Sequence, residues 1–131
     1  MFRLAMTYRL AIYHPFVDDY LDRSLLHGSV ETLVLALLAE GDGYGYQMRK
    51  DLASRSRHCF QLSFGRLYPL LRSMQRRGLV TSAWGKTSKS RDGKHYSLTA
   101  KGRQELLDRK RRWQQFSTAM DRVLFQSQKT K

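Results

Sequence analysis

Arginine dominates one short stretch of this chain. Between Ser63 and Gly78 the sequence reads Ser-Phe-Gly-Arg-Leu-Tyr-Pro-Leu-Leu-Arg-Ser-Met-Gln-Arg-Arg-Gly, so that Arg66, Arg72, Arg76 and Arg77 alternate with apolar residues. A few residues later Lys86, Lys89, Arg91 and Lys94 fall in a run whose one acid is Asp92. Guanidinium and ammonium groups at this density make charge-assisted hydrogen bonds to phosphate oxygens, and arginine also pairs bidentately with base edges. The chemistry on offer is capture of a polyanion. Catalytic sets are missing from the pattern. His14, His27, His58 and His95 are scattered, without cysteine or carboxylate partners at metal-ligand spacing, so no metal or cofactor is expected. Ser63 has no histidine nearby in sequence, and Gly41, Gly43 and Gly45 fall between two helical patterns rather than after a strand, so they do not form a phosphate-cradling loop. An enzyme is not expected.

The elements that must position these cations are legible around them. Leu67, Leu70, Leu71 and Met74 recur at helical spacing and predict one amphipathic helix over 63–78. Ser63 is the expected N-cap through its hydroxyl, and Gly78 the expected left-handed residue that ends the helix. Pro69 conflicts with this pattern, since it removes a backbone donor, and implies a bend or a helix beginning near Tyr68. Leu79 to Trp84 and Lys94 to Leu98 read as strands around a polar loop, Gly85 to Gly93, and so as a hairpin. Upstream, Val30, Leu33, Val34, Leu37 and Leu38 mark a helix over 25–40, which Leu35 and Ala36 make apolar on more than one side. Tyr44 to Ser56 is a second helix, with Met48 and Leu52 one turn apart and the basic residues Arg49, Lys50, Arg55 and Arg57 on or near its outer face. Phe60 and Leu62 are expected to pack beneath the turn that joins it to the arginine-rich helix.

Helix, turn, basic helix and basic hairpin in that order are the layout of a winged helix-turn-helix, in which the second helix enters the major groove and the hairpin lies on the backbone or in the adjacent minor groove. Charge distribution agrees. Of a net +13, residues 1–43 contribute a deficit, three Arg against six Asp or Glu. Residues 44–112 carry eighteen Lys or Arg against four acids, so the excess lies where the helix and hairpin are. A basic membrane-surface protein is the lesser candidate, because the apolar faces are needed for a core.

The last helix begins at the N-cap Thr99. Leu106, Leu107, Trp113, Phe116, Met120, Val123 and Leu124 recur along it, and no later element remains to cover that stripe. A second copy packed across a two-fold axis is the economical cover, with Leu106, Trp113, Phe116, Met120, Val123 and Leu124 as candidate dimerisation residues. Folding back on the 25–40 helix alone is the other option. The fold class is therefore mostly α with a small β-hairpin: an N-terminal extension at 1–24 (an extra helix or a disordered segment), a winged helix-turn-helix at 25–98, a dimerisation helix at 99–125 and a tail at 126–131. A lone Cys59 fits a reducing compartment, and no apolar run approaches membrane-span length, so a cytoplasmic protein is expected.

The ordered motifs resemble those of the PadR family of bacterial transcriptional regulators over about Leu25 to Phe125. The matching residues are Leu26-His27-Gly28-Ser29, Gly43-Tyr44-Gly45-Tyr46, Leu62 to Pro69, Gly78-Leu79-Val80, Trp84, Tyr96-Ser97-Leu98-Thr99 with Gly102, and Trp113 to Phe116. Where the family typically reads Ser-Glu-Gly-Thr-Leu-Tyr-Pro, this chain has Phe64 and Arg66 in place of Glu and Thr. Its wing, Ser90-Arg91-Asp92-Gly93-Lys94, is thinner in arginine than the usual Arg-Arg-Lys run. The resemblance implies a dimeric winged-helix repressor of a nearby promoter, and the Leu-Tyr-Pro motif accounts for Pro69 within a recognition helix. In one multidrug-responsive branch, the tryptophan matching Trp113 stacks on an aromatic ligand between the C-terminal helices, which makes Trp113 a candidate effector contact beside its simpler role in packing.

Candidate DNA contacts are Tyr44, Tyr46, Lys50, Ser63, Phe64, Arg66, Tyr68, Arg72, Lys86, Lys89, Arg91 and Lys94. Arg66 and Tyr68 are assigned to base edges or the groove floor, and Arg72 with the wing cations mainly to phosphates. Trp84 is expected to cap the ribbon end of the core. The expected partners are double-stranded DNA on a palindromic operator, a second copy of the chain and a small aromatic effector. A basic RNA- or ribosome-associated winged-helix protein is the alternative.

Overall fold

The computed structural model describes residues 23–86 and 92–126. The expectations for 1–22, for Lys89 and Arg91 at the hairpin tip, for the Lys86 side chain and for the tail after 126 lie outside what it describes. Its elements run α1 (Arg23–Glu40), β1 (Gly43–Tyr44), α2 (Gly45–Arg55), α3 (Phe64–Arg76), β2 (Val80–Lys86), β3 (Asp92–Leu98) and α4 (Ala100–Phe125). The three strands form one antiparallel sheet in the order β1-β3-β2.

One core gathers α1, α2, α3, the base of the sheet and the first turns of α4. Val34, Leu35 and Leu38 of α1 are buried together with Leu67, Leu71 and Met74 of α3, with Met48 and Leu52 of α2 beneath them. Leu33, Ala36 and Leu37 pack on the same cluster, as does Phe60, while Leu62 is buried. The broad apolar stripe of α1 is therefore used on more than one side. Each fully buried aliphatic side chain contributes about 1.5–3 kcal/mol relative to an exposed one, so the seven largest fully buried residues, six on α1 and α3 and Val80 on β2, hold these helices to each other and to the sheet.

Local chemistry sets the ends of the helices, with one departure from expectation. Thr99 Oγ1 accepts from Gly102 N at 2.9 Å and caps α4, and it also donates into the carbonyls of Gly78 and Leu79. Gly78 leaves α3 with φ +79, the left-handed conformation expected of it. Ser63 occupies the N-cap of α3, but its hydroxyl makes no capping bond; instead its carbonyl accepts from Arg66 N and Leu67 N. The turn between α2 and α3 contains two consecutive non-glycine residues in the left-handed region, Arg57 (φ 53) and His58 (φ 65), held there by His58 N donating to Ala53 O at 2.7 Å.

The hairpin pairs further than its composition suggested. Register runs from Val80 opposite Leu98 to Lys86 opposite Asp92, so Gly85, Lys86, Asp92 and Gly93, which composition assigned to the loop, belong to the ladder. Polar residues do not break an antiparallel pair whose backbone partners stay in step. The two-residue strand β1 also went unforeseen. Gly43 pairs with Tyr96 and Tyr44 with His95, and no local pattern signals a partner so distant in sequence.

Candidate nucleic-acid interface

Helix α3 turns two unlike faces to its surroundings. Leu67, Leu71 and Met74 point into the core, and Gly65, Arg66, Pro69, Arg72 and Arg76 are exposed. Gly65, Pro69, Arg72 and Arg76 lie at i, i+4, i+7 and i+11, a single outward stripe with small or flat residues at its N-terminal end and cations at its C-terminal end. This arrangement absorbs the proline. The helix runs through Pro69 without interruption. The carbonyl that loses its donor belongs to exposed Gly65, where water or a ligand can satisfy it. A backbone bare of side chains on its outer face can also approach another molecule closely.

Three contacts fix α3 against its neighbours. At the first, the Tyr68 ring reaches inward over the start of α2, where a Cβ added to Gly45 would lie 2.7 Å from Tyr68 Cζ. Tyr68 is half-buried and packs one side of its ring in the groove left by Gly45 at the edge of the core. At the second, the Phe64 ring lies 5.7 Å from that of Tyr68, and the Arg49 guanidinium sits 4.6 Å above the Phe64 centroid. Arg49 is itself held by donating Nε to Leu62 O at 2.7 Å. At the third, Glu31 of α1 is buried to 3% exposure and pairs with both Arg77, at the C-terminal end of α3, and Arg109 of α4 (3.1 Å). Arg109 in turn holds Glu105 at 2.7 Å. Burial pushes the Glu31 carboxyl up, but hydrogen bonds and charge from Arg77, and then from Arg109, outweigh it and hold the group below its ordinary value. The sequence placed Arg49 only among the outer-face cations of α2 and did not single out Glu31. An acid within an apolar helical run at α1 was the available signal for the second.

The other candidate residues frame this helix. Lys50 is exposed on α2. Tyr44 and Tyr46 stack at 5.9 Å, and Tyr44 meets His95 edge-on at 5.0 Å across the sheet. Ser63 is exposed beside Phe64. Lys94 lies opposite Trp84 in register, with its ammonium 5.6 Å from the indole centroid. Trp84 is 71% exposed and does not cap the core as expected. Strand alternation does place it on the side of buried Val80 and half-buried Ser82, but only the base of that face is covered. Trp84 thus joins Lys94 as part of the wing surface.

Along α4 the predicted stripe divides. Leu106 is buried in the domain's own core, not available for an interface, because the first turns of α4 pack on α1. From Trp113 onward the stripe is open: Trp113 is 55% exposed, and Phe116, Met120, Val123 and Leu124 are exposed as well. The rings of Trp113 and Phe116 lie 5.8 Å apart. They form one wall of an open groove of about 500 Å³ whose other walls include Thr32, Arg77, Arg109 and Arg112, with Glu31 among its lining residues. Among the described residues no group of three or more His, Cys, Asp or Glu converges as a metal site, and no helix is long and apolar enough to cross a membrane.

Residues 34–108 match the family described as the transcriptional regulator PadR-like family. Among solved structures, the chain is similar to a PadR-like transcriptional regulator from Bacillus cereus, with 28% identity, a TM-score of 0.70, and coverage of 79% of this chain and 99% of that one. It is also similar to a PadR family transcription regulator from Clostridium difficile, at 29% identity and TM-score 0.64, over 72% of this chain and 97% of the other. An uncharacterized protein from Lysinibacillus sphaericus is 23% identical over 97 residues, covering 74% of this chain and 89% of its own.

Proposed function

The chain belongs to the PadR-like family of transcriptional regulators, and from that premise we propose that it is a sequence-specific repressor, active as a homodimer on a palindromic operator in the cytoplasm. The observation that carries the proposal is the outward face of α3. Arg66, Arg72 and Arg76 are all exposed on a helix whose opposite side anchors the core. In this reading the N-terminal turn of α3 enters the major groove, where Arg66 reads base edges, and Arg72 holds a phosphate. The hairpin follows the backbone, with Lys94 beside Trp84 on its surface and Lys86, Lys89 and Arg91 supplying further phosphate contacts. Lys50, Ser63, Tyr44 and Tyr46 flank that surface.

Dimerisation is supported by the open stripe of α4. Among the described residues, none covers the run from Trp113 to Leu124, and a contiguous exposed apolar stripe of this kind marks an interaction surface. In this reading the two α3 helices of such a dimer must sit about 34 Å apart, one turn of B-DNA, to engage successive major grooves. The groove beside Trp113 supports an aromatic effector. It is walled by Arg77, which caps α3, so a ligand seated there would bear on the recognition helix through the Glu31 pair.

The test is selection from a pool of randomised DNA duplexes, run in parallel with a pool of structured RNAs. The proposal expects one enriched DNA sequence with two inverted half-sites a helical turn apart. Enrichment of RNA, with no preferred duplex, would replace it by the RNA-associated reading.

A further inference from the structure

Phe64 is out of place on a basic surface. It is the first residue of α3, 41% exposed, in the turn that also presents Arg66. Nothing in the described chain covers its ring fully, yet its position is fixed. The Tyr68 ring packs along it, the Arg49 guanidinium sits over it, and both neighbours are anchored, Arg49 to the Leu62 carbonyl and Tyr68 over Gly45. A ring held in this way keeps little rotamer entropy to lose on binding. Its environment also limits what it can meet. The net charge of +13 and the surrounding arginines select a polyanion, and an apolar protein patch would have to approach through those cations. Among the edges that base pairs present in the major groove, the thymine 5-methyl is the one apolar group, and it is a recognised partner for phenylalanine.

We propose that Phe64, held by Arg49 and Tyr68 in the first turn of α3, reads the 5-methyl group of one thymine in each half-site. This rests on the reading of α3 as a major-groove helix and adds to it a specificity determinant and the base it selects. The position suits the role, since residues at the N-terminal end of a recognition helix reach base edges while later turns meet the backbone. Covering one methyl group is worth roughly a fourfold change in affinity per half-site. Replacing Phe64 by Glu would substitute an acceptor for cytosine N4 and move the preference from thymine towards cytosine.

The experiment uses the full chain and the duplex it selects from a random pool. Each thymine is replaced in turn by uracil, which removes the methyl and leaves pairing and hydrogen-bonding edges unchanged, and affinity is read by fluorescence anisotropy. One position per half-site should lose roughly fourfold with the parent protein and nothing with Phe64→Ala. At the same position, 5-methylcytosine should bind the parent better than cytosine. A selected duplex that tolerates uracil at every position would overturn the methyl assignment and leave the DNA-binding reading standing. If no duplex is enriched at all, that reading fails and this inference with it. Because the uracil series is run on the parent protein, a folding defect in a variant cannot obscure the outcome.

Discussion

Glu31 is a buried carboxylate held between Arg77 and Arg109, and its removal tests how α3 is fixed to α1 and α4. The perturbation is Glu31→Gln, which keeps volume and one acceptor oxygen but removes the charge. In the folded protein the side chain is 4% exposed, against 43% for Arg77 and 17% for Arg109. Breaking a buried ion pair by removing one partner costs about 3–5 kcal/mol when the survivor stays buried and unpaired. Two features lower that figure here. Arg77 can turn into water, and Arg109 keeps Glu105 at 2.7 Å. The glutamine amide, however, points a donor at an arginine. Together these leave an expected loss of about 2 kcal/mol at pH 7, or roughly 6–10 °C in the unfolding midpoint.

The pH dependence of that loss follows from linkage. Arg77 and Arg109 face the carboxyl, with Glu105 and Arg112 behind Arg109, and the folded-state pKa lies below the ordinary 4.5. The unfolded chain therefore takes up the proton first as pH falls. The stabilisation is fully present above about pH 4.5 and is lost as pH drops through the folded value. Urea titrations followed by circular dichroism, on parent and variant from pH 7 to pH 3, should show a gap that closes at the acid end. A gap below about 0.5 kcal/mol at pH 7, the size of an ordinary surface substitution, would refute the reasoning. So would a gap that does not change with pH.

Three further outcomes follow. Gly45→Ala drives a methyl into the Tyr68 ring; overpacking of this kind costs about 1–3 kcal/mol, and DNA affinity should fall beyond what the stability loss explains, because α3 must move relative to α2. Phe116→Asp with Met120→Asp should be nearly silent in an isolated monomer, where both positions are exposed, but should cost several kcal/mol in a dimer that buries them; sedimentation of the parent as an unmixed monomer at micromolar concentration would end the dimer proposal. In a Trp84→Phe background, Trp113 fluorescence should be quenched by planar aromatic ligands with a parallel loss of DNA affinity; tenfold weakening needs about 1.4 kcal/mol of preference for the released form. Quenching that leaves DNA affinity unchanged would mean a groove without a switch.

What the sequence could reveal depended on whether a residue's environment is local. The buried stripe of α3, the left-handed Gly78 and the Thr99 cap are set by neighbours within a turn or two, and each appears as expected. The same periodicity could not say what covers a stripe. Leu106 and Phe116 read alike in sequence, yet α1 covers the first and leaves the second open. Partners distant in the chain were invisible. Glu31 meets arginines at 77 and 109, and Gly43 finds its strand partner at Tyr96. Trp84 departs from expectation for a related reason: its ring is left bare because the ribbon outruns the helices that cover its base.

The central claim is that the outward face of α3 reads DNA sequence. Its most direct test is the ratio of affinities for the selected duplex and a scrambled duplex of the same composition, measured at about 0.15 M salt for the parent and for Arg66→Ala. The parent should prefer its site by about a thousandfold or more, and the variant should lose about 1–3 kcal/mol of that preference while its affinity for the scrambled duplex changes little. A parent ratio near one, or an Arg66→Ala variant that discriminates as well as the parent, would contradict the account.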